Sequence, residues 1–157
     1  MTDRDSVSVE RVVHAPAAAI FEVLATPSRH HTFDGSGTVR NARGVDGQVG
    51  LGDRFGMSMK MGVPYSMESE IVEFEPERLI AWRTTGPGKL GRHAGGRVWR
   101  YELEVDDGGT LVRETWDISG ESAISRPFVR RLASKTLKDM SATLDRLEEL
   151  LGTSSGA

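Results

Sequence analysis

Three polar side chains on a mostly apolar strand face are the residues of this sequence best placed to do chemistry. A tight turn centred on Asp107-Gly108 predicts a β-hairpin over Arg97 to Ser119, in which Tyr101 lies opposite Glu114. Arg97 points to the same face, one strand turn away. An ionised carboxylate on an apolar face is costly unless it is paired or hydrogen-bonded. We therefore expect Tyr101 to hydrogen-bond Glu114, and the three groups could orient a ligand's carbonyl or hydroxyl group or transfer a proton.

Two structural alternatives for Glu114 stay open at this point. The carboxylate could form a satisfied polar pair that pins the sheet, or a small β-bulge could tip it out into solvent. Nothing in the residue spacing decides between these alternatives and catalysis.

The histidines give a weaker signal. His30 and His31 are adjacent, so they diverge on any regular element, and neither has a second ligand at metal-binding spacing. We interpret them as surface or pocket-entrance histidines. His93, in a glycine-rich loop, could act as an acid or base if the loop closes, although a solvated loop histidine is the commoner case. The sequence predicts no metal site and disfavours the iron-dependent oxygenases.

Cysteine and nucleotide-binding patterns are absent from the sequence. Without cysteine the chain has no thiolate nucleophile, no disulfide and no cysteine-ligated metal. The glycine-rich segments match neither G-x-x-x-x-G-K-[ST] nor G-x-G-x-x-G, so we predict no nucleotide cofactor, and no cofactor of any kind is implied.

Alternating apolar residues and turn signals predict the elements that position these groups. Short helices are expected between the first two strands, with Pro16 opening the first of them. Pairing Ile71 with Trp82 across the turn at Glu75 to Arg78 places Trp82 and Thr84 on one face. The predicted segments are the strands Val7 to His14, Val39 to Val45, Phe55 to Met61, Tyr65 to Phe74, Leu79 to Thr84 and the hairpin, and the helices Ala17 to Ala25 and Pro27 to Thr32.

A long amphipathic helix is predicted from Arg126 to Leu151, because Phe128, Leu132, Met140, Leu144, Leu147 and Leu151 recur at three- and four-residue spacing. Gly152 ends it, and residues 153–157 read as a flexible polar tail. Residues 85–96 form a glycine-rich loop that we expect to act as a gate.

Length and charge narrow the class of protein. A chain of 157 residues suits one domain, which we place at residues 1–152. A net charge of −3 with scattered Lys and Arg gives no footprint for nucleic acid. The start of the chain lacks the apolar core of a signal peptide, and no apolar run is long enough to span a membrane. We expect a cytoplasmic protein.

A sheet closed over by one helix suggests a cavity, and large adaptable side chains are predicted to face it. Methionine adapts to differently shaped partners, while tryptophan and tyrosine offer flat surfaces. The alternative is that these side chains fill the interior completely. The predicted ligand-binding residues are Met57, Met59, Tyr65, Met67, Ile71, Trp82, Trp99, Tyr101, Glu114, Trp116, Leu132, Thr136 and Met140.

The order of elements resembles the helix-grip fold of the START/Bet v 1-like (SRPBCC) superfamily over about the whole chain. VVHAPAAAIFEVLATPSRHHTF is similar to its opening strand and proline-led helix pair, IVEFEPERLIAW to its strand, proline turn and strand, and GGTLVRETWD to its penultimate strand. The resemblance is closest to bacterial polyketide cyclase/dehydrase-like members. It implies an α+β fold in which a curved antiparallel sheet of about seven strands wraps a long C-terminal helix around a hydrophobic ligand pocket.

Three functions follow as hypotheses. The first is a carrier, sensor or sequestering protein for a small hydrophobic or aromatic molecule such as a lipid, sterol or polyketide. The second is a polyketide aromatase/cyclase or dehydratase that uses Glu114, Tyr101 and Arg97 for proton transfer. The third is a protein-interaction module, for which the sequence shows no exposed apolar stripe.

Overall fold

Seven antiparallel strands form a single sheet in this protein. The computed structural model describes residues 5–36, 39–43, 47–61, 63–85 and 96–152, apart from the side chains of residues 40–43, 61, 64 and 65. The strands are β1 (Ser6–Val13), β2 (Val39–Arg43), β3 (Arg54–Met61), β4 (Val63–Glu75), β5 (Leu79–Thr85), β6 (Arg97–Asp106) and β7 (Gly109–Asp117). Their order across the sheet is β1-β7-β6-β5-β4-β3-β2. The predicted α+β class and strand number are confirmed.

The helices lie where the sequence places them, with one difference. Helix α1 (Ala17–Leu24) and a 3₁₀ helix (Pro27–Thr32) connect β1 to β2. The predicted C-terminal helix is divided into α2 (Arg126–Arg130) and α3 (Ala133–Leu151). At the interruption the Leu132 amide donates to the carbonyl of Val129, three residues back, at 2.9 Å. This tightening of one turn involves neither proline nor glycine, so the sequence pattern did not reveal it.

The register of the last hairpin is the predicted one. Tyr101 pairs with Glu114 and Trp99 with Trp116, and Asp106 pairs with Gly109 across the turn. Gly109 has a φ of 154°, and a Cβ there would lie 2.2 Å from the carbonyl oxygen of Val13. Glycine therefore allows the turn to pack closely on the end of β1.

The neighbouring strands also pair as predicted. Ile71 lies opposite Trp82, and the register then shifts by one residue before Glu73. This irregularity is a β-bulge, which bends the strand locally. In the turn from β4 to β5, Glu77 adopts a φ of 64°, a left-handed conformation uncommon for residues other than glycine.

The core lies between the sheet, α1 and α3. The buried side of α3 consists of Met140, Thr143, Leu144 and Leu147. Leu144 and Leu147 pack in the main apolar cluster, whereas Met140 belongs to a second cluster with Trp116, Ile118 and Val129. Helix α3 is therefore anchored to the sheet at two places.

Some predicted segments fall outside the described residues. These are most of the glycine-rich loop, residues 86–95 with His93, and the tail at residues 153–157. Within the part of the chain that the structure describes, none of the helices combines the length and apolarity that a membrane crossing requires.

Candidate functional site

A cavity of about 330 Å³ lies between the sheet and α3. Its apolar lining comes mainly from alternate residues of the strands and from α3. A cavity of this size is at the lower end of the range for small-molecule sites. The lining residues are His30, Phe33, Asp34, Ser36, Val39, Phe55, Met57, Met59, Met67, Ser69, Trp82, Thr84, Arg97, Trp99, Tyr101, Glu114, Leu132, Lys135, Thr136, Asp139, Met140 and Thr143.

Glu114 is the most unusual group in the cavity wall. The residue is 2% exposed, and its Oε1 accepts a hydrogen bond of 2.8 Å from the Tyr101 hydroxyl. Oε2 is also buried, and none of the residues that the structure describes gives it a hydrogen bond. Burial raises the pKa of Glu114 to about 8, the charge of Asp34 also raises it, and the Tyr101 hydrogen bond acts in the opposite direction. At neutral pH this carboxyl is therefore mostly protonated.

Tyr101 is held in a stack of aromatic rings. Its ring stacks on Trp82 with centroids 5.5 Å apart, and Trp82 also stacks on His30 with centroids 4.9 Å apart. Burial raises the pKa of the Tyr101 hydroxyl well above its ordinary value, and the neighbouring Glu114 adds to the effect. Tyr101 therefore remains a neutral hydrogen-bond donor across the physiological range.

His30 corrects one interpretation made from the sequence. It is not a surface or entrance histidine, because it is 5% exposed and stacked on Trp82. Its Nε2–H donates to the carbonyl of Leu24 at 2.8 Å, so the neutral ring carries its lone pair on Nδ1. Burial lowers the pKa of His30 to about 4. His31, by contrast, is exposed.

The segment after the 3₁₀ helix closes one side of the cavity against α3. The Gly35 amide donates to the Thr143 hydroxyl at 2.9 Å, and that hydroxyl donates to the carbonyl of Asp139 at 3.0 Å. A Cβ on Gly35 would lie 2.2 Å from the same carbonyl oxygen. Asp34 beside it accepts bonds from the amide and hydroxyl of Ser36. The loop thus brings a carboxylate into the lining.

The charged residues of the wall are compensated by neighbours. Arg97 lines the cavity, but its Nε donates to Glu121 at 3.1 Å. Lys135 contacts Asp139 at 2.5 Å and is 55% exposed at the side chain, and Leu132 nearby is 44% exposed. These two residues of α3 and the turn before it mark the side of the cavity that meets solvent.

The structure brings most of the predicted ligand-binding residues together. Ile71 and Trp116 are instead fully packed in the core, and the side chain of Tyr65 lies outside the described residues. Of the three proposed proton-handling groups, Tyr101 and Glu114 are bonded to each other, while Arg97 pairs with Glu121. The predicted residues in the wall are Met57, Met59, Met67, Trp82, Trp99, Tyr101, Glu114, Leu132, Thr136 and Met140.

Most of the lining residues that sequence reasoning missed fall into two groups. Phe55, Ser69 and Thr84 continue the alternation of strands already assigned, so their pattern could have found them. Ser69 and Thr84 were not among the predicted ligand-binding residues, and in the structure their hydroxyls hydrogen-bond each other at 2.9 Å. The segment from His30 to Ser36 is irregular and has no periodicity to indicate which side chains face inward. Among the described residues, no cluster of three or more potential metal ligands occurs.

The sheet and cavity define a helix-grip protein. The model of the family described as "Polyketide cyclase / dehydrase and lipid transport" matches residues 4–152. The chain therefore belongs to this family, within the START/Bet v 1-like superfamily that the sequence resemblance indicated.

Two mycobacterial proteins are similar to this chain, one in sequence and one in fold. Rv0088 of Mycobacterium tuberculosis, described as uncharacterised, is 34% identical over 152 residues, which cover 93% of this chain and 63% of that protein. The chain thus spans less than two thirds of this relative. Ms6760 of Mycobacterium smegmatis has a solved structure with a TM-score of 0.71 at 19% identity, covering 95% of this chain and 91% of that one.

A plant protein has the same fold. The major latex-like protein 151 of Panax ginseng gives a TM-score of 0.63 at 14% identity, covering 92% of this chain and 95% of that chain. At this level of identity the likeness concerns the fold alone.

Proposed function

We propose that this protein binds a small hydrophobic molecule, such as a lipid, sterol or polyketide-like aromatic compound, in the cavity between the sheet and α3. The observation that carries the proposal is a cavity of about 330 Å³ beside a fully packed core. The protein acts as a carrier, sensor or sequestering domain, for which binding alone is sufficient.

The lining supports an apolar and partly flat ligand. Met57, Met59 and Met67 form one side on β3 and β4, and methionine adapts to irregular shapes. Trp82 and Trp99 provide broad ring surfaces on β5 and β6. The family description, which includes lipid transport, is consistent with such a ligand.

A filled-cavity variant tests the proposal. Thr136 lines the cavity from α3, whereas Ser134 on the same helix is exposed. We expect Thr136→Trp to reduce binding of the neutral fluorescent probe N-phenyl-1-naphthylamine at least about tenfold, because the indole occupies the ligand's space. Ser134→Trp is the matched control and should bind as the wild type does. Equal binding by all three proteins would place the probe elsewhere and contradict the proposal.

A second function, polyketide cyclisation or dehydration in the same cavity, is favoured by the bonded Tyr101–Glu114 pair. Glu114 is protonated near neutral pH and faces the ligand space, so it could donate a proton to a substrate oxygen. Glu114→Gln separates the two functions. An enzyme should lose turnover of a linear poly-β-ketone while still binding N-phenyl-1-naphthylamine, whereas a carrier shows no turnover in either form.

A further inference from the structure

We infer that the cavity selects a neutral ligand whose buried end carries a carbonyl oxygen, and that Glu114 Oε2–H donates the hydrogen bond that recognises it. The inference rests on the proposed function, since it names the chemical class of the ligand for the same site. It comes from a carboxyl oxygen of this wall, Glu114 Oε2, that is buried and has no hydrogen-bond partner in the part of the chain that the structure describes.

The existing bonds decide which oxygen is the donor. Tyr101 donates to Oε1 at 2.8 Å, so Oε1 is already used as an acceptor. In the protonated carboxyl the hydrogen then resides on Oε2, which has no hydrogen-bond partner among the described residues and belongs to a side chain that lines the cavity. A buried donor without an acceptor is costly, and a ligand that supplies one recovers that free energy.

The same geometry disfavours a ligand whose buried end is a hydrocarbon or a carboxylate. A plain hydrocarbon end would leave Oε2–H unpaired in a desolvated site. A carboxylate end would place a negative charge in an apolar wall near Asp34, whose charge is felt at Glu114. A neutral ketone has the acceptor and lacks the charge.

The other ionisable groups of the cavity wall already have partners, so they do not offer the ligand a competing polar contact. Arg97 pairs with Glu121, and Lys135 pairs with Asp139 at the solvent side. His30, from the 3₁₀ helix, is neutral and bonded to Leu24. On β1, Val9 is the residue paired with Glu114, and it carries no polar side chain. Tyr101 and Asp34 are the groups that tune the carboxyl.

Three naphthalene probes of nearly equal shape test the inference. They are 2-acetylnaphthalene, with a ketone, 2-isopropenylnaphthalene, with a CH₂ in place of the oxygen, and 2-naphthoate. By titration of tryptophan fluorescence at about pH 7, we expect the ketone to bind about tenfold more tightly than the hydrocarbon, and the carboxylate to bind most weakly. Glu114→Gln keeps a neutral donor and should keep the preference, while Glu114→Leu should abolish it.

The pH dependence keeps the test decisive if Glu114→Leu fails to fold. Because the ketone binds only the protonated carboxyl, its affinity should fall as pH rises above about 8, by up to about tenfold per unit. The hydrocarbon should show little change, and Glu114→Gln should remove the dependence. Equal affinities for ketone and hydrocarbon at all pH values would overturn the inference but leave the proposed function standing. Failure of every probe to bind would contradict the proposed function itself.

Discussion

At the scale of single residues, the cavity contains two ionisable groups that are held neutral by burial. Glu114 keeps its proton to about pH 8, and His30 stays unprotonated down to about pH 4. In the unfolded chain both groups return to their ordinary pKa values, so each makes the free energy of unfolding depend on pH.

Glu114 should make the protein less stable as pH rises. Its pKa is raised in the folded state, so its contribution is fully present below about pH 4.5 and is lost as pH increases to about 8. The expected slope is up to about 1.4 kcal/mol per pH unit within this window. Glu114→Gln should lack the slope, as measured by urea unfolding at a series of pH values. A wild type and variant with parallel pH profiles would show that the buried carboxyl is not neutral.

His30 should act in the opposite direction. Its pKa is lowered in the folded state, so the protein should lose stability as pH falls from about 6.5 to about 4. His30→Gln, which can keep the bond to the Leu24 carbonyl, should be less sensitive to acid. The exposed neighbour provides the control, since His31→Gln should behave as the wild type. The two effects oppose each other between about pH 4.5 and 6.5, so variants rather than the wild type alone reveal them.

At the scale of elements, the contact between the loop at Gly35 and α3 closes the cavity. Gly35→Ala should destabilise the protein by about 1–3 kcal/mol, because the added methyl group would overlap the backbone of α3 at Asp139 and Thr143. It should also weaken ligand binding, since α3 must move. Denaturant unfolding measures the first effect, and probe titration the second.

Gly50→Ala is the matched control for this prediction. A Cβ at Gly50 has its nearest neighbour at 3.9 Å, so the substitution should be nearly neutral. If Gly35→Ala were equally well tolerated, the loop would not be in the close contact with α3 described above.

The regular elements were predictable from sequence, whereas the closing segment was not. Strict alternation and one glycine turn fixed the pairing of Tyr101 with Glu114, because a register error would move every side chain to the other face. The position of His30 depends on tertiary contacts with Trp82 and the end of α1, which have no local sequence signal. The interruption before α3 was missed because neither proline nor glycine marks it.

The candidate site was predictable to the same extent as its elements. Residues on strands and on α3 could be assigned to the cavity side from periodicity alone. The sequence could not distinguish residues that line the cavity from residues packed in the core. Ile71 and Trp116 are examples, because both share a strand face with lining residues but are buried in side-chain clusters. That distinction depends on where the volume between the layers is left unfilled.

At the scale of the whole molecule, the sheet and α3 enclose a mostly apolar space whose wall contains the bonded Tyr101–Glu114 pair. We propose that this space binds a small hydrophobic molecule. If it does, the folded state is stabilised by mass action, by about 2.7 kcal/mol at a ligand concentration one hundred times the dissociation constant.

Native mass spectrometry after incubation with a mixed library of lipids and aromatic polyketides would detect such binding directly. We expect one bound small molecule per wild-type chain, displaced stoichiometrically by a competitor, and little or no bound mass on Thr136→Trp. A bare chain mass for the wild type under every condition would contradict the proposal and show that the cavity is not a ligand site.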